Sequence, residues 1–300
     1  MREQPAKRGF EKILARSAHA RRGGRTVVLC YHSVHPSKRF ASATPRLFEQ
    51  QIEWLQEHCD IVPYDSIPRL TSPSTSGRPV VAITFDDGYE DNYTYALPTL
   101  LAHRIPATLF VTTGLVDRDP RIIRRFSRLW RASDDDVRGL SWTQVSEMQE
   151  AGLEIGAHTH SHPNLFEIEE HKVLEEIGNS KTKLEEHLKE PVRLFAYPFG
   201  KPRQHLSGRT IDLVASLGFE SAATICYRGA RTSDTPLSIP RFPITKDSVQ
   251  VLAGKVYGQL DVIGLWQERA PLWLSRLLSS DPSRLADDDL PDPGRAPAAA

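Results

Sequence analysis

The sequence lacks the features that would mark a nucleic-acid-binding, secreted or membrane-spanning protein. Lys and Arg number 38 and Asp and Glu also number 38, so the formal net charge is zero, which argues against a broadly basic nucleic-acid-binding protein. The three cysteines, Cys30, Cys59 and Cys226, lie far apart, form no CxxC pair and cannot all be paired. No apolar run approaches the roughly 20 residues that cross a bilayer, and no apolar signal segment follows the basic start. We therefore expect no nucleic-acid partner, no transmembrane segment and a cytoplasmic location.

The two ends of the chain differ in composition from its middle. Residues 1–25 contain eight Arg or Lys, with apolar side chains at helical spacing among them. Residues 7–22 are therefore either a solvated terminus or a short amphipathic helix at the inner face of an anionic membrane. Residues 271–300 are rich in Pro and Asp and predict a largely disordered tail. The segment 26–270 is expected to form the main domain.

Between these ends, short apolar segments alternate with amphipathic segments. Strands are predicted at residues 26–31, 79–85, 107–111, 153–157, 194–197 and 221–224. Helices are predicted at residues 45–58, 93–103, 143–151, 169–188 and 211–217. Repeated strand-helix units predict an α/β fold with a parallel sheet, and this many units predict a closed or nearly closed barrel.

Two adjacent carboxylates, Asp86 and Asp87, follow the predicted strand 79–85 and precede Gly88. In α/β barrels, polar residues at the carboxyl ends of strands are where catalysis takes place. Two neighbouring carboxylates repel each other unless a cation or a proton offsets their charge. The pattern therefore predicts a cation site, with an ordinary Asp-Asp-Gly turn as the alternative interpretation.

Three histidines within five residues, His158, His160 and His162, follow the predicted strand 153–157 and stop before a proline. Imidazole is the usual ligand of a borderline divalent ion such as zinc, although structural or exposed histidines are the alternative. Two imidazoles, from His158 and His162, with one carboxylate leave open coordination positions, as in a catalytic metal site. We therefore expect a divalent ion, most readily Zn²⁺, and the two aspartates would divide metal binding and proton abstraction between them.

Two further groups could complete a hydrolytic site. His32 ends the first predicted strand and is the candidate acid that protonates the leaving group, unless it only caps the strand end. The backbone N–H of Phe199, in the loop YPFG after the strand 194–197, is a candidate oxyanion donor, although this motif is also a common loop. The aromatic candidates for stacking on a sugar, for which core packing is the alternative, are Tyr89, Tyr197 and Trp142.

The motifs TFDDGY, HTHSH and FAYPFG, in that order and each closing a predicted strand, resemble the polysaccharide deacetylase family, carbohydrate esterase family four. The resemblance covers about residues 26–245. It implies a distorted (β/α)₇ barrel and the metal-dependent removal of N- or O-acetyl groups from glycans. By this resemblance Asp86 is the general base, and the metal is held by Asp87, His158 and His162.

Two departures from the family pattern change the assignment of the remaining roles. Ala196 stands where much of the family has an arginine that orients the base, and we expect Arg241, after the last predicted strand, to supply that cation. The family's late leucine-x-histidine motif is absent, since no histidine follows His205. The segment VVLCYHSV resembles the permuted subgroup of exopolysaccharide (poly-N-acetylglucosamine) deacetylases, in which the acid histidine comes first, and this favours His32 as the acid.

The expected function is metal-dependent deacetylation of N-acetylated sugars in a poly- or oligosaccharide, with a lipid-linked saccharide as one candidate. Two alternatives stay open: a metal-dependent amidohydrolase that acts on a non-glycan amide such as a cyclic imide, and a catalytically silent glycan-binding module. The arginine-rich region 117–139 is either a charged hairpin of helices on the surface or a contact for an anionic substrate.

Overall fold

Parallel strands form the centre of the computed structural model, which describes residues 24–70 and 76–269. Within these ranges the strands are β1 (Thr26–Tyr31), β2 (Asp60–Ile61), β3 (Val80–Phe85), β4 (Thr108–Val111), β5 (Glu154–Ala157), β6 (Leu194–Ala196), β7 (Ser221–Ala223) and β8 (Phe242–Pro243). Their order is β7-β6-β5-β4-β3-β1-β8, and β2 pairs with β3. The longest pairing joins β1 to β3, with Thr26 opposite Val80 and Tyr31 opposite Phe85.

The sheet curls so that one segment near the C-terminal end of the described chain, residues 239–243, pairs with strands on both sides of the sheet. Ile239 forms a parallel bridge with Ala223 of β7, and a few residues later Phe242 of β8 pairs with Leu29 of β1. The segment 239–243 therefore joins the two sides of the strand series. The predicted α/β fold, in which parallel strands form a distorted barrel, is confirmed.

Helices follow the strands and cover the outside of the sheet. They are α1 (Pro45–His58), α2 (Leu97–His103), α3 (Thr113–Val116), α4 (Pro120–Trp130), α5 (Trp142–Glu150), α6 (Glu170–Leu188), α7 (Gly208–Ser216), α8 (Val249–Val256) and α9 (Asp261–Arg269). A π-helical turn (Asn92–Ala96) precedes α2, and short 3₁₀ helices span Tyr64–Arg69, Asp134–Asp136 and Pro236–Ser238. Helix α1 begins where the side chain of Thr44 accepts the N–H of Leu47, and its buried face carries Phe48, Gln51, Ile52 and Leu55.

Alternate residues of β1 face two separate apolar clusters. Val27, Leu29 and Tyr31 pack in the larger cluster, which includes the inner faces of the helices. Val28 belongs to a smaller cluster that contains, among others, Ala82, Phe110, Ala196 and Ala223. Because side chains alternate along a strand, Cys30 continues the row of Val28 and points to the same side as this smaller cluster.

Several elements were not predicted from the sequence. Strand β2 and strand β8 have two residues each, and helices α3, α8 and α9 had no assignment, whereas α4 lies in the region 117–139, for which a hairpin of helices was one of the two interpretations. Arg241 lies directly before β8, which corrects its expected position after the last strand. Short strands carry too few residues for a periodic signal, and their pairing depends on distant parts of the chain.

Some predictions concern residues outside the described ranges. The basic segment is described only from residue 24 onward, so the proposed amphipathic helix within residues 7–22 lies outside, as does the tail 271–300. Among the helices of the described ranges, none has both the length and the apolar character required to cross a membrane.

Candidate active site

The predicted site residues come together at the carboxyl ends of the strands. Asp86 and Asp87 follow β3, His158 follows β5, His32 follows β1, and Phe199 lies three residues beyond β6. These strand ends meet at one edge of a parallel sheet. A cavity of about 140 Å³ lies there, and it is lined by His32, Asp86, Leu129, Trp130, His158, His162, Phe199, Lys201, His205, Ile225 and Pro243.

Asp87 is a buried carboxylate with no hydrogen-bond partner among the described residues, although it is only 1% exposed. Its Oδ1 lies 3.6 Å from Nε2 of His158 and 3.6 Å from Nε2 of His162. Burial, and next the charge of Asp86, raises the pKa of Asp87 well above its ordinary value. A buried charge without a partner is costly, so this arrangement calls for a cation between the carboxylate and the two imidazoles.

The two histidines direct Nε2 towards the same point. Nδ1 of His158 donates to the carbonyl oxygen of Ala196 at 2.7 Å, which leaves the Nε2 lone pair facing Asp87. His162 has a φ of 58°, and its ring packs against that of Phe199 with 4.6 Å between centroids. Burial lowers the pKa of both histidines, which favours the neutral form that binds metals.

The spacing of the three groups fits a divalent metal ion. Tetrahedral ligands with bonds of about 2.1 Å lie roughly 3.4 Å from one another, and the two distances to Asp87 are 3.6 Å. The candidate ligand atoms of Asp87, His158 and His162 all lie within 4.8 Å of one another. One carboxylate with two imidazoles is a donor set that suits zinc and related ions.

Asp86 is paired mainly with Arg241, and its Oδ2 also lies 4.0 Å from Nε2 of His158. The guanidinium donates from Nη1 to Oδ1 and from Nη2 to Oδ2, both at 2.7 Å, and Arg241 is fully buried. Arg241 also donates to Oγ1 of Thr84 at 3.0 Å, and Sγ of Cys30 lies 3.3 Å from Oδ2 of Asp86. Burial by itself raises the pKa of Asp86, but the charge and hydrogen bonds of Arg241 outweigh it and hold that pKa well below its usual range. The structure thus distinguishes two carboxylates that the residues alone left interchangeable.

His32 and Phe199 both line the cavity. The half-buried ring of His32 lies edge-on to Trp130, with 6.0 Å between ring centroids. Burial lowers the pKa of His32 to about 4, so its imidazole is neutral at pH 7 in the free site. Phe199 has a φ of 58°, and its backbone N–H donates no hydrogen bond within the described ranges. The acid role of His32 and the oxyanion role of Phe199 remain predictions.

The structure contradicts two of the three aromatic residues predicted to stack on a sugar. Tyr89 and Tyr197 are both fully buried, and the hydroxyl of Tyr197 donates to the carbonyl of Leu237 at 3.0 Å. Their rings are core residues, which no sugar can reach. Trp142 is partly exposed, but His187 covers one face at a centroid distance of 3.9 Å, and Trp142 does not line the cavity.

Helix α4, from the arginine-rich region 117–139, forms a wall of the site. That region was interpreted either as a hairpin of helices on the surface or as a contact for an anionic substrate. Phe126 lies 5.1 Å from the ring of His162, and Trp130 stacks on Phe40 at 5.6 Å. Leu129 and Trp130 line the cavity, as does Lys201, which directly follows the motif YPFG. The only available sequence signal for Lys201 was its position next to that motif.

Comparisons with known proteins support the same assignment. The sequence model of the family "Polysaccharide deacetylase" matches residues 74–222. A poly-beta-1,6-N-acetyl-D-glucosamine N-deacetylase of Staphylococcus aureus (strain MRSA252) is 25% identical over 221 residues, which are 70% of this chain and 70% of the relative. YxkH of Bacillus subtilis (strain 168) is 24% identical over 199 residues, 66% of this chain and 63% of YxkH, so the match covers just under two thirds of that relative.

Two solved structures have a similar fold. IcaB from Ammonifex degensii superposes with a TM-score of 0.64 at 29% identity, over 79% of this chain and 99% of that chain. The deacetylase PplD of Streptococcus pyogenes, solved in complex with acetate, superposes with a TM-score of 0.64 at 24% identity, over 77% of this chain and 98% of that chain. At that identity, PplD supports the fold alone.

Proposed function

We propose that this chain, which belongs to the polysaccharide deacetylase family, hydrolyses the N-acetyl groups of a glycan with the help of a divalent metal ion. The family and the hydrolase class predicted from the sequence are confirmed. The proposed substrate contains N-acetylglucosamine, because a relative that is 25% identical carries the name of a poly-beta-1,6-N-acetyl-D-glucosamine N-deacetylase. A lipid-linked form of that glycan is a further part of the proposal.

The observation that carries the proposal is the orphaned carboxylate of Asp87. Both of its oxygens are buried without a hydrogen bond from the described residues, and two imidazole Nε2 atoms lie 3.6 Å from one of them. Asp87, His158 and His162 would hold the ion, which when bound would lower the pKa of a water molecule and polarise the acetamide carbonyl.

The remaining groups have separate tasks in the hydrolysis. Asp86 accepts the proton of the attacking water at a carboxylate oxygen, and the two hydrogen bonds from Arg241 keep that carboxylate in position. The N–H of Phe199 donates to the oxygen of the acetamide carbonyl as negative charge develops on it. His32 gives a proton to the departing nitrogen. Since burial lowers its pKa to about 4, His32 has to gain that proton within the substrate complex.

The proposal is tested by measuring acetate release from N-acetylglucosamine oligomers, with Asp86→Asn as the matched variant. That substitution keeps the shape of the side chain and the three metal ligands but removes the base. Release of acetate by the wild type but not by Asp86→Asn supports the proposal. If neither protein releases acetate although each binds one metal ion, the substrate is a different amide, and cyclic imides are the next compounds to assay. Failure of the wild type to bind any divalent ion would contradict the metal assignment.

The location of the protein is also a proposal. We place it in the cytoplasm, with residues 7–22 in contact with the inner face of the membrane, because these residues are basic and carry apolar side chains at helical spacing. Cell fractionation tests this location, and recovery of the protein from the medium would contradict it.

A further inference from the structure

Lys201 is a cation at the cavity that has no ion-pair partner in the part of the chain that the structure describes. Among the described residues that line the cavity, it is the one basic side chain besides the histidines. It is half-buried, and its Nζ makes no hydrogen bond or ion pair with any residue of the described ranges. Its partly exposed ammonium is therefore free, within the described ranges, to bind a group that enters the cavity.

The loop that carries Lys201 is held in place by a buried histidine. The backbone N–H of Lys201 donates to Nδ1 of His205 at 3.2 Å, and the N–H of His205 donates back to the carbonyl of Lys201 at 3.0 Å. His205 is fully buried, and its ring lies 5.2 Å from that of Phe199. The backbone of Lys201 is therefore fixed within the same loop as the proposed oxyanion donor.

In the described part of the chain, Lys201 forms an ion pair with neither carboxylate of the site. Both oxygens of Asp86 accept hydrogen bonds from Arg241, and Asp87 faces the two metal-binding histidines. With a divalent ion bound, the two aspartates cancel its charge, and the charges of Arg241 and Lys201 are left in excess. A cavity with low-dielectric walls concentrates such a positive potential.

Helix α4 carries exposed positive charge on the face that points away from the cavity. Its buried face includes Leu129 and approaches the site, whereas exposed arginines recur every three or four residues on the opposite face, at Arg121, Arg124, Arg128 and Arg131. This spacing places them on one side of the helix. Arg121 is paired with Asp119 at 2.7 Å. None of these four arginines lines the cavity, so Lys201 is the candidate among the lining residues for binding a charged group there.

We infer that the substrate is an anionic saccharide and that Lys201 binds a carboxylate on the sugar next to the one that carries the acetamide. This inference rests on the proposed deacetylase function and names its substrate class. Lys201 would determine the preference for a carboxylate-bearing sugar next to the acetylated one. The residues of the metal site would carry out the chemistry at the acetamide.

The test compares two oligosaccharides of equal length that contain N-acetylglucosamine. One is the neutral chitin tetrasaccharide, and the other is a hyaluronan tetrasaccharide, in which N-acetylglucosamine alternates with glucuronate. We expect the wild type to have the higher kcat/KM for the anionic oligomer. Lys201→Gln should lower kcat/KM for that oligomer by about tenfold, mainly through KM, because a hydrogen bond to a charged group is lost. For the neutral oligomer, kcat/KM should change by less than about twofold, since this oligomer lacks the charged group.

Two further variants control for charge and geometry. Lys201→Arg keeps the charge and should retain most of the preference. Lys189→Gln removes one exposed lysine at the end of α6 and should leave kcat/KM unchanged for both oligomers. The inference would be overturned if Lys201→Gln lost kcat/KM equally for both oligomers, or if the wild type did not prefer the anionic oligomer. Either result would leave the deacetylase proposal standing. No acetate from either oligomer would overturn the proposed function itself.

Discussion

Replacing Arg241 by methionine should separate the proposed base from its counter-ion without altering a metal ligand. Arg241 and Asp86 are joined by two hydrogen bonds of 2.7 Å, and their side chains are 0% and 3% exposed. Arg241 also donates to Thr84 at 3.0 Å and to the carbonyl of Thr224 at 3.3 Å. Methionine fills much of the volume but supplies none of these donors.

The expected effects follow from the burial of the pair. Removing one partner of a buried ion pair destabilises a protein by roughly 3–5 kcal/mol, because the other charge is left uncompensated. Burial then raises the pKa of Asp86, the carboxylate takes up a proton, and it no longer serves as a base. General-base catalysis contributes about 10²–10⁴-fold to rate, so we expect kcat to fall at least about 100-fold. The double variant Asp86→Asn with Arg241→Met should lose less stability than the sum of the two single variants, by about 0.5–3 kcal/mol.

The measurements are the unfolding free energy in urea, kcat for acetate release and the amount of bound metal. Arg228→Met is the matched control, because Arg228 forms a similar buried pair with Asp234, at 2.8 and 2.7 Å. That pair lies near the start of β1, where Ala230 bridges Thr26, so the control should lose stability but keep kcat per folded molecule.

Two results would refute the reasoning about Arg241. One is a kcat within about threefold of the wild type in Arg241→Met, and the other is full additivity of the two single variants in the double variant. Should Arg241→Met not fold, Arg241→Lys keeps the charge but loses the paired geometry, and it should still lower kcat.

Three further predictions concern other parts of the structure. Asp87→Asn should raise the stability of the metal-free protein at pH 7 by about 1–3 kcal/mol, since burial disfavours the ionised carboxyl that the unfolded chain carries at this pH, and should abolish the stabilisation by zinc seen in thermal unfolding; a variant less stable than the metal-free wild type would contradict this. Trp130→Ala should raise KM for N-acetylglucosamine oligomers by about three- to tenfold because it lines the cavity, and Trp142→Ala should not; equal KM values for the two variants would count against the assignment. Burial raises the pKa of Glu154 from 4.5 to about 7, so the ionised carboxyl is disfavoured in the fold; the unfolding free energy of the wild type should fall relative to Glu154→Gln as the pH rises from about 4.5 to 7, and parallel pH profiles would refute this.

Local sequence patterns were sufficient to predict the bounds of elements whose stability comes largely from local interactions. Strand β1 and helix α1 have the bounds that their apolar patterns predict, Thr26–Tyr31 and Pro45–His58. The helix has its own start signal, since Thr44 caps it. The positions of Asp87 and His158 directly after strands also predicted their proximity, because the carboxyl ends of parallel strands lie at one edge of a sheet.

Side-chain direction in loops and contacts between distant residues were decided by the tertiary structure. Arg241 and Asp86 are 155 residues apart in sequence, and they are brought together by the pairing of β8 with β1 and by the bridge between Ile239 and Ala223. That Asp87 lies 3.6 Å from both histidines depends on the backbone turn at Asp87, where φ is 75°. The burial of Tyr89 was likewise not predictable, because an aromatic residue at a strand end has the same local pattern whether it faces the core or solvent. The sequence alone determined the kind of chemistry, through residue types at strand ends, and the folded chain determined which atoms perform it.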